Sequence, residues 1–380
     1  MDKPNGFSRR SFFGFMTAAP LAAAFPVNSS SRPAQRPQAE ESPNTILLKD
    51  YRPHSLYKIP QTQIAKAKFP IIDVHSHDYA KTDAEVAQWV RNMGEVGVEK
   101  TVILSGAVGA KFDAIYEKYS KYPNNFEIWC DFDTSGYDQP GYGPAAVREL
   151  ERCYRKGAKG VGELGDKGKG MDWGKAVGMH PDDPRLDPLF ERCAQLGMPI
   201  NLHVADPIWM YEKMDIHNDG LMNAYNWRLD NQPDIVGHSG MMEILERTVQ
   251  RHPHTTFIAC HLANLSYDLT RLGQLLDRNP NLHADISARY AETATIPRFV
   301  AKFYAKYSNR LLYGTDMGFD PRMYRITFRE LESLDEHFYE IDQFGYHWSM
   351  NGFGLPDSIL KRVYRENALE IFHSRKATAI

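Results

Sequence analysis

Five short apolar segments of this chain each run into side chains that bind metals. They are Ile71-Ile72-Asp73-Val74-His75-Ser76-His77, Gly160-Val161-Gly162-Glu163, Pro199-Ile200-Asn201-Leu202-His203, Phe257-Ile258-Ala259-Cys260-His261 and Leu311-Leu312-Tyr313-Gly314-Thr315-Asp316. Residues two apart on a strand share a face, so His75 and His77 are expected to project together, with Asp73 in the same phase buttressing the ligands rather than touching substrate. Imidazoles and carboxylates gathered at successive strand ends are the donors of a divalent-metal site. An ion held this way with one position open lowers the pKa of bound water to about 7 and polarises a carbonyl, which is the chemistry of hydrolysis.

Such donors meet only if their strands converge. From residue 69 onward, apolar runs of strand length alternate with helical patterns. The expected strands are 70–75, 99–105, 126–131, 159–163, 198–203, 255–261, 282–286 and 310–315, separated by amphipathic stretches such as 84–90 and 242–249. Strands alternating with helices predict an α/β fold with a parallel sheet covered on both faces. The donor spacings (86 residues from His77 to Glu163, then 40, 58 and 55 to His203, His261 and Asp316) place them on strands 1, 4, 5, 6 and 8. Only a closed (β/α)8 TIM barrel brings those ends to one mouth; an open sheet would spread them too widely for a single ion. Long loops after strands 5 and 8, rich in aromatics (Trp209, Tyr211, Trp227; Phe344, Tyr346, Trp348), are expected to overhang that mouth, either shaping a pocket or forming small cores of their own.

The N-terminus reads as a separate instruction. Ser8-Arg9-Arg10-Ser11-Phe12-Phe13 followed by an apolar stretch to Phe25 is a twin-arginine export pattern, too short for a membrane span. Residues 1–26 are expected to be the signal, 27–46 a flexible Ser/Pro-rich linker, and 47–380 the barrel domain, exported to the periplasm with its cofactor in place. Removing Asp2, Lys3, Arg9 and Arg10 takes the net charge from -3 to -5. An acidic chain without a basic, aromatic-interleaved run argues against a nucleic-acid partner, and with it a nuclease. Four cysteines (130, 153, 193, 260) form no C-x-x-C pair and no disulfide is expected. If His261 faces the barrel interior, strand alternation turns Cys260 toward the helices as a small buried hydrophobe.

The ordered series Asp73-x-His75-x-His77, Glu163, His203, His261, Asp316 resembles the amidohydrolase superfamily, and within it the amidohydrolase-2 branch of TIM-barrel metal-dependent hydrolases. The resemblance covers residues 69–373 and includes His203-Val204-Ala205-Asp206-Pro207 and Tyr313-Gly314-Thr315-Asp316. It implies that His75, His77 and Asp316 hold a first divalent ion, with Asp316 also moving the proton. His203 then ligates that ion or a second one. His261 ligates the second or polarises the substrate carbonyl. Glu163 is the bridging carboxylate of a two-ion site, or a group that orients a ligand histidine. Zinc is the expected metal, one or two ions per chain, with manganese or iron as alternatives. The implied reaction is attack of hydroxide, formed on the metal, on a small ester, lactone or amide; the alternative on the same barrel is non-oxidative decarboxylation of an aromatic or muconate-type acid. Arg289, just past strand 7, and Trp209 are the candidate substrate-binding residues, and a homo-oligomer is expected. Lys167 and Lys169 read as solvated, and His238, His252, His254 and His283 as surface or capping histidines.

Overall fold

The computed structural model describes residues 42–378, so the twin-arginine segment and residues 27–41 of the linker lie outside the described residues. Residues 42–51 belong to a separate N-terminal unit that contains the short 3-10 turn Leu48–Asp50. From Arg52 on, the chain is one unit.

All eight expected strands form: β1 (Ile71–Ser76), β2 (Val98–Leu104), β3 (Phe126–Trp129), β4 (Val161–Asp166), β5 (Ile200–Val204), β6 (Phe257–Ala259), β7 (Leu282–Asp285) and β8 (Leu311–Leu312). Each pairs in parallel with the next, β3 meeting β4 through the Cys130–Val161 bridge. The ring closes where Val74 N–H donates to the Tyr313 carbonyl and Asp316 N–H to the His75 carbonyl, both at 2.9 Å. The fold is a (β/α)8 barrel.

The crossover helices pack apolar stripes outside the strands. In α1 (Asp83–Val96) the stripe is Val86, Trp89, Met93 and Val96, at helical spacing. Thr82 and Glu85 form a reciprocal capping box at its start, and Gly97 in the left-handed region ends it. The helices α2 (Gly109–Tyr119), α3 (Tyr142–Lys156), α4 (Asp187–Leu196), α5 (His238–Arg251), α6 (Leu269–Arg278), α7 (Pro297–Tyr307) and α8 (Pro321–Glu332) follow in the same order. The last helix, α9 (Asn367–Thr378), closes the N-terminal end of the barrel. Asn367 Nδ2 donates to the carbonyls of Ser308 and Leu311, and Ala368 and Ile371 join the interior cluster of Ile72, Val74, Val102, Leu104, Trp129, Ile258 and Leu312.

That interior cluster corrects two phase expectations. Ile72 and Val74 point into the barrel, so Asp73 points outward, beside Tyr290, Tyr313 and Tyr324. A register shift in β1 between Asp73 and Ser76 then re-aims His75 inward. Ile258 also points inward, so strand phase carries Cys260 into the barrel, where its Sγ lies 2.7 Å from Asn201 Oδ1. His261 reaches the mouth by a different route. The backbone leaves the strand after Ala259, and His261, Leu262, Ala263 and Asn264 all take positive φ (53–59°). All four cysteines are buried and unbridged.

The two long loops turn to their own packing. After β5, Met210, Ala224 and Leu229 form a small core with Trp209, Tyr211 and Trp227, and after β8 Phe338, Tyr346 and Met350 do the same with Phe344 and Trp348. No helix among the described residues is long and apolar enough to cross a membrane.

Candidate metal centre

Four imidazoles converge at the C-terminal mouth, and each has its outer nitrogen fixed. His75 Nδ1 lies 2.9 Å from Asp285 Oδ2, His77 Nδ1 lies 3.0 Å from the Leu104 carbonyl, and His203 Nε2 lies 2.9 Å from Asp206 Oδ1. His261 Nδ1 lies 2.7 Å from Ser287 Oγ and 3.0 Å from its carbonyl. The inner nitrogens are thereby aimed at one space. An acceptor on one ring nitrogen fixes ring angle and tautomer and leaves the other nitrogen's lone pair for a metal.

Two carboxylates share that space. Glu163, nearly fully buried, is within reach of all four rings: His203 Nδ1 at 2.6 Å, His261 Nε2 at 3.2 Å, His77 Nε2 at 3.4 Å and His75 Nε2 at 3.6 Å. Asp316 lies 3.1 Å from His77 Nε2, 3.8 Å from His261 Nε2 and 3.9 Å from His75 Nε2, and accepts a 3.0 Å hydrogen bond from the Tyr79 hydroxyl. Five of the six expected donors follow irregular backbone or lie past their strand; His203 alone keeps strand phase with Asn201. Gly162, at φ +148°, precedes Glu163, and Asp316 itself is left-handed at φ 55°. Gly314 allows the β1–β8 seam to close: a β-carbon there would come within 2.8 Å of that of His75. Left-handed backbone at non-glycine residues costs about 1–2 kcal/mol each and accumulates where a site requires it.

The electrostatics ask for a cation. Burial disfavours a charged His77, yet Asp316 and Glu163 outweigh it and raise its pKa to about 10. His75 is also raised: burial opposes its charge, and Asp285, Glu163 and Asp316 outweigh it. Asp285 falls to about 2 against burial because of His75. Glu163 is held well below the usual carboxylate range, burial being overcome by His203 and His75. His261 drops to about 3, mainly by burial and then by the nearby Arg289. His75 Nε2 has no hydrogen-bond partner and no exposure. A buried polar atom without a partner is costly, and a metal bond would satisfy it. His75, His77 and Asp316 form one group of donor atoms within 4.8 Å of one another, and His75, Glu163, Cys260 and His261 form a second. The residues present fit a divalent ion.

Among the neighbours Asp73 is the buttress it is expected to be, and the others sort differently. Asp73 bridges the seam, its Oδ1 accepting from His75 N–H and Thr315 N–H (3.1 Å each) and its Oδ2 from the Thr315 hydroxyl (2.7 Å); burial lifts its pKa to about 7. It supports the donors without joining them. Arg289 is buried, donating to Asn264 Oδ1 at 2.6 Å and lying 3.5 Å from Glu292, with its Nε unpartnered. Trp209 donates its indole N–H to Asp219 and packs over Gly220, inside its own loop. The indole at the metal site is Trp173, whose ring stands edge-on to His203 at 5.0 Å over the backbone of Gly165. Lys167 is partly buried, paired with Asp206, and lies between the rings of Trp173 (5.6 Å) and Trp227 (5.8 Å). His238 is buried, its Nε2 3.0 Å from the Asn264 carbonyl at the end of the left-handed turn.

Sequence reasoning missed Asp285, Asp206, Trp173 and the inward face of Cys260. Asp285 had a signal: it is a carboxylate at the end of the seventh apolar run. Asp206 had another, three residues after His203. Trp173 had none, since its position depends on two successive left-handed residues, Asp172 and Trp173.

A cavity of about 440 Å³ opens at the ends of β2 and β3, two strands that lie between those carrying His77 and Glu163, and none of the six donors lines it. Lys111, Asp131, Asp133, Tyr137, Asp172 and Lys175 line it.

A (β/α)8 barrel whose mouth holds imidazoles and carboxylates in this order defines a metal-dependent hydrolase. The chain belongs to the amidohydrolase family, whose model matches residues 60–373. Among solved structures it is similar to an uncharacterised TIM-barrel protein from Bordetella bronchiseptica (15% identity over 81% of this chain and 100% of that one, TM-score 0.51). It is also similar to a putative amidohydrolase from Staphylococcus aureus (17% identity, 80% and 100% coverage, TM-score 0.52). At these identities the likeness is one of fold. No curated protein matches the chain.

Proposed function

We propose that this enzyme hydrolyses a small ester, lactone or amide at the Glu163–Asp316 centre, using one or two divalent ions, zinc foremost. The observation that carries this reading is the set of four imidazoles with fixed outer nitrogens, all directed at Glu163 and three of them also at Asp316. His75, His77, His203, His261, Glu163 and Asp316 would hold the metal, with Glu163 between its two sides. Bound there, a divalent ion supplies a Lewis acid and water acidified to near neutrality.

The chain's own groups do the rest. Asp316, held by the Tyr79 hydroxyl, takes a proton from the attacking water and returns it to the leaving group. His261, kept neutral by burial and anchored on Ser287, offers its inner nitrogen to the metal without competing for that proton. The cavity over β2 and β3 receives the remainder of the substrate, and Trp173 walls the site on the His203 side. The unpartnered Nε of Arg289 supports a role for that residue in meeting an anionic substrate group. The twin-arginine stretch supports export of the folded enzyme, and the acidic chain supports a small molecule over nucleic acid as partner.

Metal analysis of the purified full chain, followed by a screen of esters, lactones, amides and aromatic carboxylic acids, tests this. Hydrolysis that stops on chelation and returns with zinc is the expected result. Release of CO2 from an acid, with one ion per chain and no hydrolysis, would overturn it in favour of decarboxylation.

A further inference from the structure

We propose that Cys260 is a further donor to this centre, a sulfur ligand on the Glu163 side of the site that favours a thiophilic divalent cation. The proposal rests on the metal reading above and adds to it a donor outside the set read from the strand ends.

Three independent observations place it. Ile258, two residues earlier, packs inside the barrel, so the strand directs Cys260 inward before the left-handed turn begins at His261. Its side chain is fully buried, and Sγ rests 2.7 Å from Asn201 Oδ1, on the floor of the site. Asn201 is itself held there by its amide, which donates to Asp285 Oδ2 at 3.2 Å. Donor atoms of Cys260, His75, Glu163 and His261 all lie within 4.8 Å of one another, and His75 Nε2 points into that group with no hydrogen-bond partner.

One sulfur, two imidazole nitrogens and one carboxylate oxygen make a four-donor set suited to zinc or iron(II), and poorly suited to magnesium or manganese. The other group, His75, His77 and Asp316, holds no sulfur and shares His75 with this one, so the Nε2 of His75 serves one group at a time. A cation seated on the Cys260 set therefore meets the softer and more selective donors. On metal binding the thiol proton leaves to solvent, as it does when any cysteine becomes a ligand.

The test is X-ray absorption at the zinc edge on the full chain loaded with Zn2+. A sulfur scatterer at about 2.3 Å beside nitrogen and oxygen at about 2.0–2.2 Å is expected. It should vanish in Cys260→Ser while zinc is retained at the remaining donors. Competition with Mn2+ should lose zinc preference by roughly tenfold in the variant, about 1.4 kcal/mol. Zinc bound through nitrogen and oxygen alone in the unmodified chain overturns the sulfur ligand and leaves the metal reading standing, whether or not the variant folds. A sulfur scatterer that persists in Cys260→Ser also overturns it. A chain that takes up no zinc overturns both.

Discussion

The barrel mouth has two unlike halves. From β4 round through β8 to β1, the strand ends are filled: four imidazoles, two carboxylates and a thiol sit at hydrogen-bonding or near-bonding distance, each imidazole secured from behind by Asp285, Asp206, Ser287 or a carbonyl. At β2 and β3 the same mouth is open, a cavity of about 440 Å³ with both signs of charge on its walls. The crowded half leaves its backbone little choice, and left-handed residues cluster there at Ala205, His261, Ala288 and Asp316, none of them glycine. The β2 and β3 loops have their positive φ at Gly106, Gly109 and Gly136, and the one left-handed non-glycine residue on the cavity wall, Asp172, comes from the loop after β4. The conformational cost thus gathers on the strands that carry the donors.

The sharpest way to break this division is Asp316→Asn. If Asp316 carries the proton, kcat should fall by about 10²–10⁴-fold, and substrates of every size should be affected alike. The amide keeps the size of the carboxylate, so circular dichroism should be unchanged. Full activity in a correctly folded variant would remove the crowded half from catalysis. Next in size is Asp285→Asn. Asp285 touches no inner nitrogen; it accepts from His75, Asn201, Ser287 and the His261 backbone. Metal affinity should drop about 10–100-fold, read by chelator competition, with kcat recovering at saturating metal. A loss of kcat that saturating metal does not restore would make Asp285 part of the chemistry.

How much of this the sequence shows divides along the same line. The donors were legible because their type and order say what they do wherever the strand ends. His75, His77, Glu163, His203, His261 and Asp316 do gather at one mouth. Their phase was not legible. Alternation presumes regular strands, and β1 shifts register while β6 stops short, so Asp73 and Cys260 exchange the faces that alternation assigns them. A left-handed Gly advertises itself in a sequence, whereas a left-handed His261 or Leu262 does not. The turn instead depends on partners distant in the chain: Asn264 Nδ2 donates to the Val204 and Ala205 carbonyls and His238 meets its own carbonyl. The aromatic loops stay open between pocket wall and local core in the sequence, because composition cannot tell the two apart, and they form local cores.

A smaller effect is expected in the open half. Lys111→Met removes a cation from the cavity wall without touching a metal donor. Metal content should be unchanged and kcat nearly so, while KM for an anionic substrate rises by about tenfold, near 1.4 kcal/mol. A change confined to kcat would mean that the cavity is not where substrate is recognised.

Smallest of all should be Thr82→Ala. Thr82 caps α1 in a reciprocal box with Glu85, and its loss should cost about 1 kcal/mol, a melting shift of a few degrees at most in a domain of this size. The interest lies in where α1 sits. The segment from His77 to Thr82 leaves the crowded half and leads through α1 to β2 of the open half. Along the way Asp78 is held by Lys118 and Tyr119, and Tyr79 by Asp316. If those side-chain ties suffice to hold the segment, fraying the helix start lowers stability and leaves kcat and KM within about twofold. If activity falls with stability, the geometry of His77 and Tyr79 depends on the cap, and the two halves are mechanically one. Thermal melts alongside steady-state kinetics at saturating zinc distinguish the two outcomes. The preferred one is a stable mouth on a slightly weakened helix, because the ties that bind His77 and Tyr79 run to Leu104 and Asp316, and neither passes through Thr82.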